Sequence, residues 1–400
     1  MSPFKATIGN VSLRQLFAAQ IPSDFADWLD FVAIGALLAF TWHVEPYVFA
    51  TLAVCMGLPY LVIGPFAGVI VDRAPILRVM IASNIARAIM TALLAFAPDW
   101  QILVGIVFVR STVDAFYTPA KQAAIQALAP PEALMPANGI SHAINQASKI
   151  VAPALGGALL IILTPRSIFL CNTGVSLLAA LMLLRMAPIP KVLPTSKAKL
   201  SILAELKEGM GVVLKTPTLR AALSIMAAGY FAMFFYDTLI APLTRDLGFS
   251  ETTLGLALAA VGLGGVSGAI WMGMRNTARP FLWIAAGLIL SAVLIATLGV
   301  FEITDRTLAM SVFLTLFTLV GFASTMSVVP IRTIIQRDTP SDKIARVSAL
   351  SEAANMSALL TAPFIGAMIA SLSSIGVAFV AGAILMLMIG IWAGVLHKTV

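Results

Sequence analysis

Twelve apolar stretches, each long enough to cross a lipid bilayer as a helix, follow one another along the 400-residue chain. A helix needs roughly 20 apolar residues to cross the hydrocarbon core. The runs are continuous, whereas the strands of a membrane barrel alternate over about ten residues, so helices are favoured. The sequence therefore predicts an all-α membrane protein with spans at 14–42, 47–71, 77–98, 101–128, 133–162, 167–187, 219–244, 252–274, 280–301, 307–335, 342–371 and 374–396.

Composition and charge indicate a chain surrounded by lipid. Hydrophobic residues make up 60% of the sequence and charged residues 11%, against about 45–50% and about 25% in soluble domains. Seventeen lysines and arginines lie in the tails and loops on the N-terminal side of the membrane, and three lie on the other side, Arg166, Arg245 and Arg306. This positive-inside bias predicts that both termini are cytoplasmic. Because the basic residues follow the loops, the net charge of +7 is not a nucleic-acid patch.

The sequence also argues against several classes of function. Cys55 and Cys171 fall within predicted spans and offer neither a disulfide framework nor a metal spacing. The three histidines, His43, His142 and His397, are too few for a metal substrate. No Walker loop, zinc spacing or serine nucleophile elbow lies in a loop able to present it. We therefore expect no cofactor, no metal and no enzymatic activity, and an ion gradient as the source of energy.

An internal repeat divides the chain into halves. Residues 126–159 match residues 336–369 at a constant offset of 210, including Gln126 with Gln336, Pro130 with Pro340, Asn145 with Asn355, Pro153 with Pro363 and Gly156 with Gly366. We predict two pseudo-symmetric six-helix bundles, 1–188 and 219–400, joined by a cytoplasmic linker, 189–218. Within the linker, the apolar spacing predicts an amphipathic helix. Parallel halves are a transporter design in which the substrate site lies between them, near the midplane.

A short loop after the second span carries a recognisable signature, GPFAGVIVDRAPILRVM. It contains Gly64, Gly68, Asp72, Arg73 and Arg78. The alternative is an ordinary positive-inside turn between two helices. The spacing resembles the loop signature of the major facilitator superfamily, and the resemblance implies the two-bundle transporter fold and a loop that helps to hold the cytoplasmic side shut. The second half lacks the acid, because Asn276 stands where Asp72 stands in the first half.

Two further segments resemble a subgroup of that superfamily. The fourth span reads FVRSTVDAFYTPAKQAAIQAL and the fifth ends VAPALGGALL. With Asn138, they are similar to the macrolide-efflux and enterobactin-export proteins, in which a buried arginine, an F-x-x-P-A turn and a G-P-x-L-G-G segment recur. Ala152 replaces the first glycine of the last segment. The residues 118–121, TPAK, also resemble the lysophospholipid flippases of the same superfamily.

Charges within the spans are the main functional candidates, because they are costly in a bilayer. Asp24, Asp27 and Asp30 are spaced by three along one face of the first span. Asp237 takes the place of Asp30 in the second half, at an offset of 207. A carboxyl group in low dielectric can take up and release a proton near neutral pH. We therefore expect Asp27, Asp30 and Asp237 to bind protons or a cationic substrate.

Arg110 and Asp114 are four residues apart in the fourth span and can pair within one helix. They either neutralise each other for insertion, or form a switch in which Arg110 exchanges Asp114 for an aspartate of the first span. Arg87 is expected to be structural. The other basic and acidic residues near the cytoplasmic ends are expected to snorkel or to form a gate with the signature loop: Lys121, Lys149, Arg332 and Glu352.

Aromatic and amide side chains predict an apolar cavity with few polar anchors. The candidates are Asp24, Trp28, Phe31, Tyr117, Phe231, Phe234, Phe235, Asn145 and Asn355, although packing accounts equally well for at least half of the aromatic residues. The resulting hypothesis is a monomeric, proton-coupled exporter of an amphipathic drug or siderophore in the bacterial inner membrane. A lysophospholipid flippase with Lys121 and Arg332 at the headgroup, an importer, and a non-transport receptor are the alternatives.

Overall fold

Helices are the regular elements of the computed structural model, which describes residues 7, 9–130, 133–190, 210–274, 279–340 and 344–397. A few side chains inside these ranges also lie outside the description, among them those of Gly68, Asp72, Arg73 and Glu352. Most of the predicted linker helix falls on residues 191–209, outside the described residues, and residues 210–215 are helical.

Seven helices form the first half of the chain. They are α1 (Val11–Ala36), α2 (Pro46–Val62), α3 (Gly64–Arg73), α4 (Ile76–Leu94), α5 (Trp100–Leu128), α6 (Leu134–Leu159) and α7 (Pro165–Leu184). A π-helical turn, Leu37–Thr41, extends α1. The second half contains α8 (Pro217–Asp237), α9 (Ile240–Asp246), α10 (Glu251–Gly273), α11 (Pro280–Ile303), α12 (Met310–Asp338), α13 (Ile344–Leu372) and α14 (Ile375–Leu396).

Short polar side chains fix where several helices begin. Asp99 accepts a hydrogen bond from the Ile102 amide at 2.8 Å at the start of α5, and Thr164, Ser250 and Ser374 cap α7, α10 and α14 in the same way. Each cap satisfies an amide that has no partner within the helix. Such residues in the loops therefore mark the boundaries that hydropathy alone leaves uncertain.

Two predicted spans, 47–71 and 219–244, each contain two helices, and the second remains one apolar segment long enough to cross a membrane. The first breaks at Ile63, between α2 and α3, and the second at Thr238 and Leu239, between α8 and α9. Proline has no amide hydrogen to donate to the carbonyl four residues earlier. Pro65 and Pro242 lie in the first turns of α3 and α9, where the first amides of a helix have no partner within it and proline is tolerated.

Nine of the described helical segments are long and apolar enough to cross a membrane, with α8 and α9 taken together. The predicted spans outside this set are the first, which carries three aspartates, the second, whose helix α2 has 17 residues, and the fifth, which is α6. The chain is a multi-pass helical membrane protein. The count of twelve spans stays a prediction.

Contacts divide the chain into two compact units, Met1–Val44 with Val54–Thr195, and Glu45–Ala53 with Ser196–Val400. The predicted domain limits at 188 and 219 stay a prediction. In the first unit, α1 packs against α6 and α7, and α4 packs against α5 and α7. In the second, α8 packs against α13 and α14, and α11 packs against α12 and α14. The packing therefore repeats in the order that the sequence repeat predicts.

Paired glycines explain why the same helices touch in both units. A Cβ atom on Gly156 of α6 would lie 2.7 Å from the carbonyl oxygen of Leu29 in α1. A Cβ atom on Gly366 of α13 would collide with the carbonyl oxygen of Phe235 in α8. Because the neighbour is backbone, it cannot move aside as a side chain can. Small residues permit such close approach of helices within membranes.

Many large apolar side chains lie on the outside of the helices, and several charged side chains lie inside. Phe66, Phe96 and Leu372 are 67%, 72% and 80% exposed. In water such surfaces would cause association, whereas in a bilayer they contact lipid. Among the described residues, the fully buried charged side chains all belong to the first unit: Asp24, Asp30, Arg87, Arg110, Asp114 and Lys121.

We predict that Gly366→Ala destabilises the protein by about 1–3 kcal/mol, the usual cost of overpacking. Gly156→Ala should act in the same direction, because its neighbour is also a backbone oxygen. The measurement is the unfolding of the purified protein in detergent.

The matched control is Gly174→Ala in α7, where no described atom lies within 4 Å of the added carbon. Alanine is the better helix former, by about 1 kcal/mol, so this variant should be unchanged or slightly more stable. Equal stability of Gly366→Ala and Gly174→Ala would contradict the close approach of α8 and α13.

Candidate functional site

The aspartates of α1 point into the first unit, where α4 and α5 supply cations. Asp24 and Asp30 are each 1% exposed, and the side chain of Asp27 is 26% exposed. The predicted spacing by three thus places all three carboxylates among the other helices of this unit. Asp27 is the most accessible of them.

Five residues form a continuous chain of alternating charge: Asp27, Arg87, Asp114, Arg110 and Asp30. We call this set the charge chain. Arg87 contacts Asp27 and Asp114, with N···O distances of 2.7 Å in both cases. Arg110 forms an ion pair with Asp30, and its Nε lies 3.9 Å from Asp114 Oδ2. The chain begins and ends on α1, with one residue of α4 and two of α5 between.

Arg87 has hydrogen-bond and cation–π partners that the sequence did not predict. It is fully buried, and its Nη1 donates to the carbonyl and hydroxyl oxygens of Ser23 at 3.0 and 3.1 Å. Its guanidinium carbon lies 5.1 Å from the ring centre of Tyr117, a cation–π distance. Arg87 was expected to be structural, and the structure places it between Asp27 and Asp114 in the charge chain.

The predicted pair of Arg110 and Asp114 is present but does not stand alone. The closer carboxylate partner of Arg110 is Asp30, and its Nη2 also donates to the carbonyl of Ala26 at 3.2 Å. Asn172 of α7 donates to the same carbonyl at 2.8 Å. Arg110 thus lies between Asp114 and an aspartate of α1, which is the arrangement that the switching hypothesis requires. A self-neutralised pair would not need Asp30.

Lys121 does not snorkel, and its part in a gate stays a prediction. Its ammonium group lies 3.0 and 3.2 Å from the two carboxylate oxygens of Asp24, and the side chain is 8% exposed. Gln20 and Asn145 donate to the same carboxylate at 2.7 and 3.4 Å. A buried carboxylate attracts the nearest cation, because an unpaired charge is costly in low dielectric. Asp24 and Lys121 therefore form a second, neutral network.

Formal charges do not balance within the charge chain. With every group ionised, three carboxylates carry −3 and two guanidinium groups carry +2, which leaves −1. Asp24 and Lys121 cancel each other. Transfer of an excess charge out of water costs several kcal/mol, so one proton or one bound cation would stabilise this interior.

Asp237 lies at the end of α8 in different surroundings from those of Asp30. It is half-buried and makes no salt bridge with any described residue. The residue that takes the place of Arg110 at an offset of 210 is Val320, which explains the missing cation. The sequence correspondence of the two aspartates therefore does not extend to their partners.

The predicted cavity residues separate into two groups. Trp28, Phe31, Phe231, Phe234 and Asn355 are half-buried, and Lys149 lies with its Nζ 5.4 Å from the Trp28 ring. Tyr117 and Phe235 are buried, at 2% and 5% exposure. Tyr117 lies between Arg87 and Lys121, and Phe235 packs where α8 meets α13, so these two are core residues and not cavity lining.

The predicted gate is described only in part. Gly64 begins α3, and Arg78 is exposed in the first turn of α4. Lys149 and Arg332 are also exposed. The side chains of Asp72, Arg73 and Glu352 lie outside the described residues, so the gate remains a prediction. Within the described residues no cluster of His, Cys, Asp and Glu has the arrangement of a metal site.

Comparison with known proteins gives the family. The sequence model of the Major Facilitator Superfamily matches residues 16–358. The chain is 29% identical over 385 residues to the MFS-type transporter YfiS of Bacillus subtilis (strain 168), which covers 95% of this chain and 91% of that one. It is 27% identical over 254 residues to macrolide efflux protein A of Enterococcus faecalis, with 60% and 77% covered.

A solved structure shows the same fold. It is that of a bacterial homologue of the human lysosomal transporter Spinster, in an inward-facing and unoccupied conformation. The TM-score is 0.69, the identity is 15%, and the match covers 99% of this chain and 96% of that one. At this identity the likeness concerns the fold alone.

We predict that Arg87→Gln lowers the free energy of unfolding by about 3–5 kcal/mol, because it leaves buried carboxylates without a cation. Adding Asp114→Asn should recover part of the loss. The measurement is chemical unfolding in detergent micelles. The control is Arg185→Gln at an exposed position. If Arg87→Gln and Arg185→Gln prove equally stable, Arg87 does not hold the charge chain together.

Proposed function

Because this chain belongs to the Major Facilitator Superfamily, we propose that it is a proton-coupled antiporter that exports an amphipathic organic compound, a drug or a siderophore. It works by alternating access, with the bundles 1–188 and 219–400 rocking around a midplane site. It acts as a monomer in the bacterial inner membrane, and both termini are cytoplasmic. The relative named macrolide efflux protein A supports export and this class of substrate.

The excess carboxylate of the charge chain carries the proposal. An interior of charge −1 is stabilised either by a proton or by a cationic group of a ligand, and binding of one weakens binding of the other. Competition of this kind is what couples two opposite fluxes. Asp27 is the carboxylate that exchanges the proton, since its side chain is 26% exposed while those of Asp30 and Asp114 are 2% and 9% exposed.

Each other member of the chain has a distinct role. When the Asp27 carboxylate takes up a proton, Arg87 keeps Asp114 as its ionised partner at 2.7 Å. Arg110 keeps Asp30 and can approach Asp114, which shares its helix. Arg87 is thus a positioning residue that holds Asp27 and Asp114 together, and Arg110 is the cation that changes partners. Asp237 provides a second proton or cation site in the other bundle.

The ion pair between Lys121 and Asp24 argues against the flippase alternative. A lipid headgroup would need a cation that is free to bind phosphate, and Lys121 is bound to Asp24 at 3.0 Å. Of the two cations expected for that function, only Arg332 is exposed. The observation favours the exporter.

In proteoliposomes with an imposed pH gradient, we predict that Asp27→Asn abolishes gradient-driven accumulation of substrate and keeps exchange in the absence of a gradient. The neutral amide removes the excess charge, so proton release no longer drives the cycle. A panel of a macrolide, cationic dyes, siderophores and a lysophospholipid identifies the substrate.

The matched control is Asp99→Asn, since asparagine retains the cap of α5 and Asp99 lies outside the charge chain. Asp30→Asn and Asp237→Asn complete the series. Gradient-driven transport that persists in all three variants of Asp27, Asp30 and Asp237 would refute proton coupling through these groups. Transport of the lysophospholipid alone would favour the flippase.

The signature loop gives a separate prediction. Asp72→Asn should lower the turnover rate more than it weakens substrate binding, because a gate contact affects the conformational step and not the site. Initial rates and equilibrium binding, measured on the same preparation, separate the two. If the turnover rate is unchanged, the loop contributes only to membrane topology and not to a gate.

A further inference from the structure

At corresponding interior positions, the first unit has large polar side chains and the second has small ones. Helices α5 and α12 begin 210 residues apart, and α4 and α11 begin 204 residues apart. At these offsets Arg87 corresponds to Ser291, Asp114 to Ser324 and Tyr117 to Ser327. Three large polar side chains of the first unit are therefore replaced by three serines in the second.

A cavity of about 60 Å³ lies at this place in the second unit. The three serines line it together with Met226, Met233 and Met386, and the remaining walls come from α8, α11 and α12. A water molecule needs roughly 10–15 Å³ by this measure, so the space holds a few waters or the end of an organic molecule. The loss of large side chains explains why the cavity exists.

The lining has the character of a ligand site. Ser327 donates to the carbonyl of Ile284 at 3.1 Å, whereas the hydroxyls of Ser291 and Ser324 have no hydrogen-bond partner among the described residues. Ser291 is 4% exposed. Neither hydroxyl oxygen is among the fully buried, unpaired side-chain oxygens of the described residues, so each keeps some access to the cavity and can donate to a ligand. Methionines are flexible and polarizable, so the cavity can widen around an apolar group.

The charge of the residues that line the cavity determines which class of ligand can bind. Arg332 is the one formally charged residue of the lining, it is exposed, and it forms no salt bridge with any described residue. A guanidinium group binds carboxylates and phosphates and repels cations. A cationic ligand would meet no counter-charge among the described residues of the lining.

We propose that this cavity binds an organic anion, with its slim apolar part between the methionines, a polar group at Ser291 and Ser324, and its anionic group at Arg332. The site is distinct from the charge chain, which belongs to the other unit. It rests on the proposed transport function for its role, and it defines a second ligand class, amphipathic anions, which do not compete with the proton at the charge chain.

The test is protection of an introduced thiol. Ser324→Cys is made in a Cys55→Ala, Cys171→Ala background, and alkylation by N-ethylmaleimide is followed in detergent without any gradient. 4-Phenylbutyrate should slow alkylation, whereas 4-phenylbutylamine and 4-phenylbutanol should not do so at equal concentration. Adding Arg332→Gln should raise the phenylbutyrate concentration needed by roughly tenfold, because a charge-assisted hydrogen bond is lost.

Two controls separate binding from structural damage. Arg337→Gln changes a neighbouring exposed arginine that is already paired with Asp338, and protection should persist. Gly229→Val adds carbon at a position where a Cβ atom would meet only Leu288, at 4.0 Å, and it should fill the cavity and remove protection. Equal protection by the acid and the amine would overturn the anion assignment, and protection by none of the compounds would overturn the site.

Failure of this inference is distinguishable from failure of proton coupling. Asp27→Asn should leave protection by phenylbutyrate unchanged, because Asp27 belongs to the other unit. Loss of protection in that variant would contradict an independent site. If protection persists while gradient-driven transport proves independent of Asp27, that result would support the site and refute only the coupling proposal.

Discussion

Pairing of every charge inside a hydrocarbon environment is the constraint on which the first unit depends. Asp114 contacts one guanidinium closely and a second more distantly, and each of these guanidiniums also holds an aspartate of α1. Removing Arg87 or Arg110 would leave an aspartate of α1 without its cation in low dielectric, at a cost of several kcal/mol. The ion pairs therefore determine which helices can be neighbours: α1 must meet α4 and α5 here.

Helix α1 contacts its neighbours both through its aspartates and through its backbone. Its aspartates are held by the cations of α4 and α5, while Leu29 presents its carbonyl oxygen to Gly156 of α6. Helix α6 makes both kinds of contact with α1, since Asn145 donates to Asp24 and Gly156 lies under Leu29. The second unit keeps the glycine contact, at Gly366, and has no corresponding chain of ion pairs among its described residues. Close helix packing and charge pairing are consequently separable features of the repeated fold.

Periodicity and repetition predicted most of the fold and part of the site. The pattern 24, 27, 30 placed three carboxylates on one face, and the offset of 210 predicted which helices correspond. The roles of Arg87 and Lys121 were not predicted, because partners come from tertiary packing and neither sequence neighbourhood contains an acid of the right spacing. A charge count could have narrowed the search: buried aspartates need cations, and Arg87, Arg110 and Lys121 are among the cations that the spans supply.

The glycine contacts have a mechanical consequence. Where Gly156 lies under the Leu29 carbonyl, α6 has no room for a Cβ atom, so a shift that brought a larger residue of α6 under that carbonyl would force the two helices apart. The same holds for Gly366 under Phe235. Each contact therefore opposes sliding of α1 along α6, or of α8 along α13.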